Sequence, residues 1–227
     1  MAQMNKQILG KLKGTIGDVV FRQRKGKAFA YSRPGSFTPG DTPNAVNARD
    51  RFGLTVKFGS RVNALTYVKD IWKANVYGDG SAYNLIVKTN YPYVNPSGLT
   101  DLVTLVPGYG FSVTTTSVTI NAASVQAIVD PIGNNTGIDP VAEPNIVMAS
   151  VLYLNNPTDP LIASDAFISL LSAQQETDLA SQLTFNIPLS SQETQLFNNY
   201  QDQKGFFCLV TLDVDNNPVH YSITFIG

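Results

Sequence analysis

The sequence predicts a mainly β protein of the α+β class: an N-terminal basic arm with a β-hairpin, one long helix, then one or more antiparallel β-sandwich-like domains. Three observations carry this. The C-terminal "GFFCLVTLDVDNNPVHYSITFIG" alternates apolar and polar residues on both sides of a turn sequence. Residues 43–75 hold apolar residues at helical spacing behind a good cap. The second half is rich in Thr, Ser, Asn, Val and Tyr, which suit strands joined by turns. At 227 residues the chain suffices for one large domain or two small ones with a real core.

Residues 1–42 read as the arm. Gly10, Gly14 and Gly17 space out its start and permit tight turns or close backbone packing. In "DVVFRQRKGKAFAYSR" (18–33) two short extended runs flank Lys25-Gly26, where Gly26 supplies the positive φ of a tight turn. Strand alternation puts Val20, Arg22 and Arg24 on one face, and Val19, Phe21 and Gln23 on the other. Three prolines and two glycines in 34–43 make an extended linker.

A helix over most of 43–74 follows, with Thr42 as N-cap and Pro43 at its first position. Leu54, Phe58, Val62, Leu65 and Trp72 form its buried stripe, and Arg49, Arg51, Lys57, Arg61 and Lys69 its opposite face. Gly53 and Gly59 argue against it, each costing roughly 1 kcal/mol relative to Ala. From Val76 to 227 the pattern is that of a β-rich domain, with a possible division near 140. Residues 101–122 offer two strands around Pro107-Gly108; 145–154 and 182–190 offer one each. Residues 190–203 look like a short helix that Ser190 or Ser191 can cap, with Glu193 placed for a capping box. The final hairpin spans about 206–214 and 219–226. Phe206, Cys208, Val210, Leu212 and Val214 on its inner face answer Val219, Tyr221, Ile223 and Phe225, so it reads as half-buried.

The net charge of −1 hides an asymmetry: residues 1–75 carry +10 and residues 76–227 carry −11. Such a division attracts polyanions to the basic part, or docks the basic part of one subunit on the acidic part of the next. No run of 18 apolar residues and no apolar N-terminal signal core is present, so neither a secreted nor a membrane-spanning product is expected. The single cysteine, Cys208, excludes an internal disulfide and any multi-cysteine zinc site.

No catalytic constellation emerges, and no cofactor or metal is expected. The glycine-rich start lacks the Lys-Ser/Thr pair of a phosphate loop, and strand-like sequence follows it instead of a helix. Asp213-Val214-Asp215-Asn216-Asn217 opens like a calcium loop, but Pro218 stands at the sixth position and Thr224 at the twelfth; Asx residues in a hairpin turn are the simpler account. His220 is the sole histidine, and no Gly-x-Ser-x-Gly elbow accompanies it. Cys208 sits in an apolar strand as an inert thiol, and Asp213/Asp215 and Glu176/Asp178 are ordinary turn carboxylates. The candidate site is the arm itself: Arg22, Arg24, Lys25, Lys27 and Arg33, interleaved with Phe21, Phe29 and Tyr31. Those residues suit phosphate contact and base stacking as well as protein docking, although no nucleic-acid-binding module is visible.

The series Gly14-x-x-Gly17-x-Val19-Val20-x-Arg22-x-x-Lys25-Gly26-Lys27, then Ser32-Arg33-Pro34, Thr42-Pro43 and Arg49-x-Arg51-Phe52, resembles an uncharacterised family of Bacteroidota and their bacteriophages. The resemblance is best over 8–75, weak through the middle, and returns at the closing "YSITFIG". It brings no catalytic residues. Its phage members look like virion components, in particular a ring-forming neck or head–tail connector protein of crAss-like phages. The resemblance thus implies a non-enzymatic homo-oligomer assembled in the host cytoplasm and resident in the virion. Its partners would be its own copies and neighbouring portal, adaptor or tail proteins, with DNA near the basic arm and no membrane. A capsid auxiliary or decoration protein is the alternative within that class. A carbohydrate- or surface-binding β-sandwich is the alternative outside it, with Trp72, Tyr77, Tyr83, Tyr91 and Tyr93 as the aromatic platform, although Trp72 fits the core better.

Overall fold

The computed structural model describes residues 2–4, 13–24, 26–33, 35, 38–78 and 80–227. It divides into two units, Met1–Val46 and Asn47–Gly227. The protein is mostly β with antiparallel sheets and four helices.

The first unit is an antiparallel four-stranded sheet. β1 (Ala2–Met4), β2 (Gly14–Ile16), β3 (Val19–Arg24) and β4 (Lys27–Ser32) lie in the order β1-β4-β3-β2. The β3–β4 hairpin closes at Gly26, whose φ of 77° is open to glycine at no cost. Beyond the sheet, Thr42 caps α1 (Pro43–Ala64): its Oγ1 accepts from the Ala45 amide at 3.3 Å.

In the second unit the helical stretch is divided. α1 ends at Ala64, Leu65 is extended, and α2 runs over Thr66–Ala74. A third helix, α3 (Ala82–Asn90), stands where strands were expected; Ser81 caps it by accepting from the Asn84 amide. The glycine in the middle of α1 has a packing reason. A Cβ on Gly59 would lie 2.8 Å from Val87 of α3, so the cost of glycine in a helix is offset by close helix approach. Arg51 leaves the solvent face expected of it. Its guanidinium lies 4.2 Å from the Tyr91 ring centre and donates to the Tyr91 carbonyl at 2.6 and 3.0 Å.

The remaining strands are β5 (Val94–Asn95), β6 (Gly98–Leu99), β7 (Thr115–Ile120), β8 (Ser124–Val129), β9 (Asn145–Pro157), β10 (Asp165–Leu171), β11 (Gln175–Glu176), β12 (Leu183–Pro188), β13 (Tyr200–Leu212), β14 (Pro218–Tyr221) and β15 (Phe225–Ile226). β5 and β6 form a small two-stranded sheet. The main sheet runs β10-β9-β13-β14, with β11 beside β9 and β15 beside β13; a second sheet runs β12-β8-β7. The main sheet is the middle of three layers. On one face Val147, Ala149, Val151, Phe206, Cys208 and Val210 pack with Phe58, Val62, Trp72 and Ile86 of the helices. On the other, Ile146, Met148, Leu152, Phe207 and Leu209 pack with Val125, Val129, Phe185 and Ile187 of the second sheet.

This layering corrects the half-buried hairpin. Phe206 through Leu212 are all buried, because both faces of β13 are covered. The return strand is also irregular. Val210 pairs with Tyr221, but a register shift follows and Phe225 pairs with Phe207 on the other face, while Val214, Val219 and Ile223 are exposed. A short helix forms within the stretch read as one: α4 (Ser191–Asn198) carries a full capping box between Ser190 and Glu193, whereas residues 200–203 begin β13.

Residues 101–106, expected as a strand, are coil held by side chains, with Asp101 and Leu102 exposed and Val103, Leu105 and Val106 buried. Asn90 donates to the Thr104 carbonyl at 3.0 Å and accepts from its amide at 2.7 Å. Thr224 Oγ1 accepts from the Leu105 amide at 2.8 Å, and Trp72 Nε1 donates to the Leu105 carbonyl at 2.6 Å. These bonds replace a ladder. Asn90→Leu therefore leaves two backbone groups without partners and should lower stability by roughly 2–6 kcal/mol, at about 1–3 kcal/mol for each orphaned group; urea unfolding at unchanged slope measures it. Ser150 gives the opposite expectation. Its hydroxyl is buried opposite Phe207 with no hydrogen-bond partner, so Ser150→Ala should leave stability unchanged or raise it by up to about 1 kcal/mol in the same assay.

Candidate functional site

The arm residues gather on the four-stranded sheet. Arg22 is paired with Phe29, Arg24 with Lys27, and Val20 with Tyr31. Directly opposed residues share a face, so Arg22 and Lys27 stand beside the aromatic rings of Phe29 and Tyr31. The reverse face carries Ile16, Val19, Phe21, Ala28 and Ala30 beside the uncharged polar residues Gln23 and Ser32. Gly14 (φ 115°) and Gly17 (φ 56°) flank β2, as the turn reading required. Arg33 continues from β4, its amide donating to the Asp18 carbonyl at 2.6 Å. Gly10 and Lys25 lie outside the described residues.

Burial is the distinguishing property of this sheet. No described residue of 13–46 is buried; Ile16 is 63% exposed and Val19 40%. A sheet needs its apolar face covered by a second layer to be stable. Among the described residues the buried apolar core lies at Leu54 and beyond. The units also differ in charge, residues 1–46 carrying +6 and residues 47–227 carrying −7.

Among the recesses of the second unit, three involve residues singled out above or an ionisable cluster. One, of about 600 Å³, is polar and crossed by the Lys57–Asp165 ion pair at 2.8 Å; Asp165 also accepts from Ser164 at 2.7 Å. Tyr153 lines it, stacked on Phe167 with ring centres 5.2 Å apart. Burial, with a smaller contribution from the Asp165 charge, pushes the Tyr153 phenol up to about 12. A second recess, of about 650 Å³, is an apolar groove lined by Phe52, Val56, Tyr83, Val87 and Tyr91. The third, of about 500 Å³, lies between the loop at Tyr109 and the β14 residues His220 and Tyr221. Behind it His220 Nδ1 meets the buried Glu143 carboxylate at 2.9 and 3.0 Å, and Glu143 also accepts from Thr211 Oγ1 and, at 3.3 Å, from the Asp139 amide.

Other residues singled out from the sequence take structural places. Burial raises the Cys208 thiol pKa, which keeps it protonated and unreactive. Asp213 accepts from the amides of Asp215 and Asn217 at 2.9 and 2.8 Å, an Asx turn, and these bonds lower its pKa, those from Asn217 most. Asp178 likewise caps a turn through Ala180 and Ser181. Among the described residues no group of three metal-ligating side chains forms, and no helix is long and apolar enough to cross a membrane. The five aromatics do not make one platform: Trp72 is in the core, Tyr83 and Tyr91 line the apolar groove, and Tyr77 and Tyr93 do not join them. The Glu143–His220 pair, 77 positions apart, has no local sequence signal.

The chain matches no protein-family model, and no curated protein matches it.

Tyr153 gives a pH expectation. Its folded pKa is raised above the ordinary value of 10, so the folded state favours the neutral phenol. The stability this gives is present in full below pH 10 and lost as pH rises through about 12. Tyr153→Phe should show a smaller loss of unfolding free energy than the parent between those pH values, measured by urea midpoints on both.

Proposed function

We propose that this chain is a non-enzymatic structural subunit of a tailed-bacteriophage virion. It forms a homo-oligomeric ring in the neck or head–tail connector, its N-terminal sheet docking on a neighbouring copy. The observation that carries the assembly part is a sheet with an uncharged apolar face and no buried residue among those described. Covering Ile16, Val19 and Phe21 would supply about 1.5–3 kcal/mol for each side chain fully buried. Exposed ion pairs from Arg22, Arg24, Lys25, Lys27 and Arg33 would add at most about 1 kcal/mol each. The apolar face thus sets affinity, and the charges set approach and register.

Opposite charge on the two units supports a head-to-tail contact, in which one copy's sheet meets another's 47–227 unit. Contacts between unlike surfaces generate rings when the rotation closes. The virion assignment rests on the resemblance over residues 8–75, which also brings portal, adaptor or tail proteins as neighbours and DNA near the basic face. A capsid decoration role uses the same sheet against a capsid lattice.

Deleting residues 1–33, or reversing charge at Arg22, Arg24, Lys25 and Lys27, should abolish assembly and leave the 47–227 unit folded. Light-scattering mass and circular dichroism read the two effects. Salt well above 0.15 M, where the Debye length is about 8 Å, should slow assembly. Normal assembly of the truncated chain sinks the proposal, and binding to capsids without self-association selects the decoration role.

A further inference from the structure

The loop 107–112 carries a feature that the fold does not require. Tyr109 has a φ of 89°, a conformation that residues with a side chain rarely adopt, and its ring is fully exposed. The residues after it are fixed. The Phe111 amide donates to the Tyr221 carbonyl at 3.0 Å, and the Ile223 amide to the Phe111 carbonyl at 2.9 Å. Gly110 lies so close to β14's continuation that a Cβ would stand 2.4 Å from the Ser222 backbone. A strained residue on a well-anchored loop thus holds an aromatic ring in solvent at the lip of a recess.

The recess behind it is equally ordered. Because a carboxylate partners Nδ1, that nitrogen carries the proton of the neutral His220 ring, and Nε2 is left as an acceptor. Nε2 approaches Gly137, 3.8 Å from where a Cβ would sit there. The recess is lined, besides His220 and Tyr109, by Phe111, Tyr221, Asn135, Ser112 and Thr136, with Ile132 and Val219. No Asp, Glu, Lys or Arg lines the recess; Glu143 behind it is buried and committed to His220, Thr211 and the Asp139 amide. Aromatic faces beside neutral donors and acceptors suit a ligand that is itself amphipathic and uncharged. A volume of about 500 Å³ is that of a small-molecule site.

We propose that this recess binds a neutral saccharide, a pyranose ring whose C–H face stacks on Tyr109 and whose hydroxyls bond to His220 Nε2, Asn135 and Thr136. This site is independent of the assembly reading, since it lies wholly within the 47–227 unit and uses none of the arm residues. Its ligand is either a free sugar or a unit of a surface polysaccharide, and the same contacts serve both.

The full-length protein would be titrated with methyl glycosides of glucose, galactose, mannose and N-acetylglucosamine by saturation-transfer NMR, and with neutral oligosaccharides of four or more units on a glycan array. Tyr109→Gly is the decisive variant, because it removes the ring and fits the φ of 89°. Binding of at least one methyl glycoside, weakened about tenfold or more in Tyr109→Gly with an unchanged or higher melting midpoint, supports the site. Array binding without methyl glycoside binding, lost in the same variant, supports it with a polysaccharide as the source. No binding in either format overturns it. So does binding indifferent to Tyr109→Gly and Thr136→Val, or a fall in melting midpoint in Tyr109→Gly, which would make the ring structural.

Discussion

The pairing of β9 with β13 is the constraint on which the rest depends. Both strands are thirteen residues long and run antiparallel in continuous register from Gln203↔Leu154 to Leu212↔Asn145. Because strand side chains alternate, this one register sends Val147, Ala149 and Val151 to the helices and Ile146, Met148 and Leu152 to the second sheet. A slip of one residue would exchange the two sets and mismatch both layers. Phe207 stands opposite Ser150, which leaves its ring room to reach the neighbouring layer.

The N-terminal sheet obeys the same alternation without the same outcome. Its hydrogen bonds are made, and one of its faces is basic and the other uncharged, but none of residues 13–46 whose burial is described is buried on either. Formation of a ladder is not formation of a layer. The free energy that holds a sheet comes chiefly from area removed from water, and here that area is still exposed. This contrast between the units is the physical reason for reading residues 1–46 as an element completed by another molecule.

Much of this was legible in the residues. The apolar run 145–154, the Thr42 and Ser190 caps and the Gly26 turn follow from local chemistry and appear as expected. Failures came where tertiary contacts outweigh local pattern. "DLVT" reads as strand, yet Asn90, Thr224 and Trp72 satisfy the backbone of the segment that follows by side-chain bonds, which no window of sequence displays. Residues 82–90 contain Ile, Val and Thr and read as extended, but the Ser81 cap and burial of Ile86 against α1 make them helix. Alternation at the C-terminus implied one wet face, since a period of two cannot reveal that a second sheet covers the other side. For the arm, the residue types and the alternation were visible; that nothing buries them was not.

The buried Glu143 ties the recess at His220 back to the central pair. Thr211 is the inward polar residue near the end of β13, and its hydroxyl donates to Glu143 and accepts from the His220 amide at 3.0 Å. An isolated carboxylate in that interior would be costly, whereas one that accepts from a hydroxyl, an amide and an imidazole is tolerated. The orientation of the His220 ring therefore depends on which residue β13 presents at that position, and so on the register of β13 against β9. Shifted by one, the strand would offer Val210 or Leu212, neither of which can donate, and the Glu143 carboxylate would lose a donor while the imidazole lost its anchor. The central strand pair thus fixes the orientation of the one histidine.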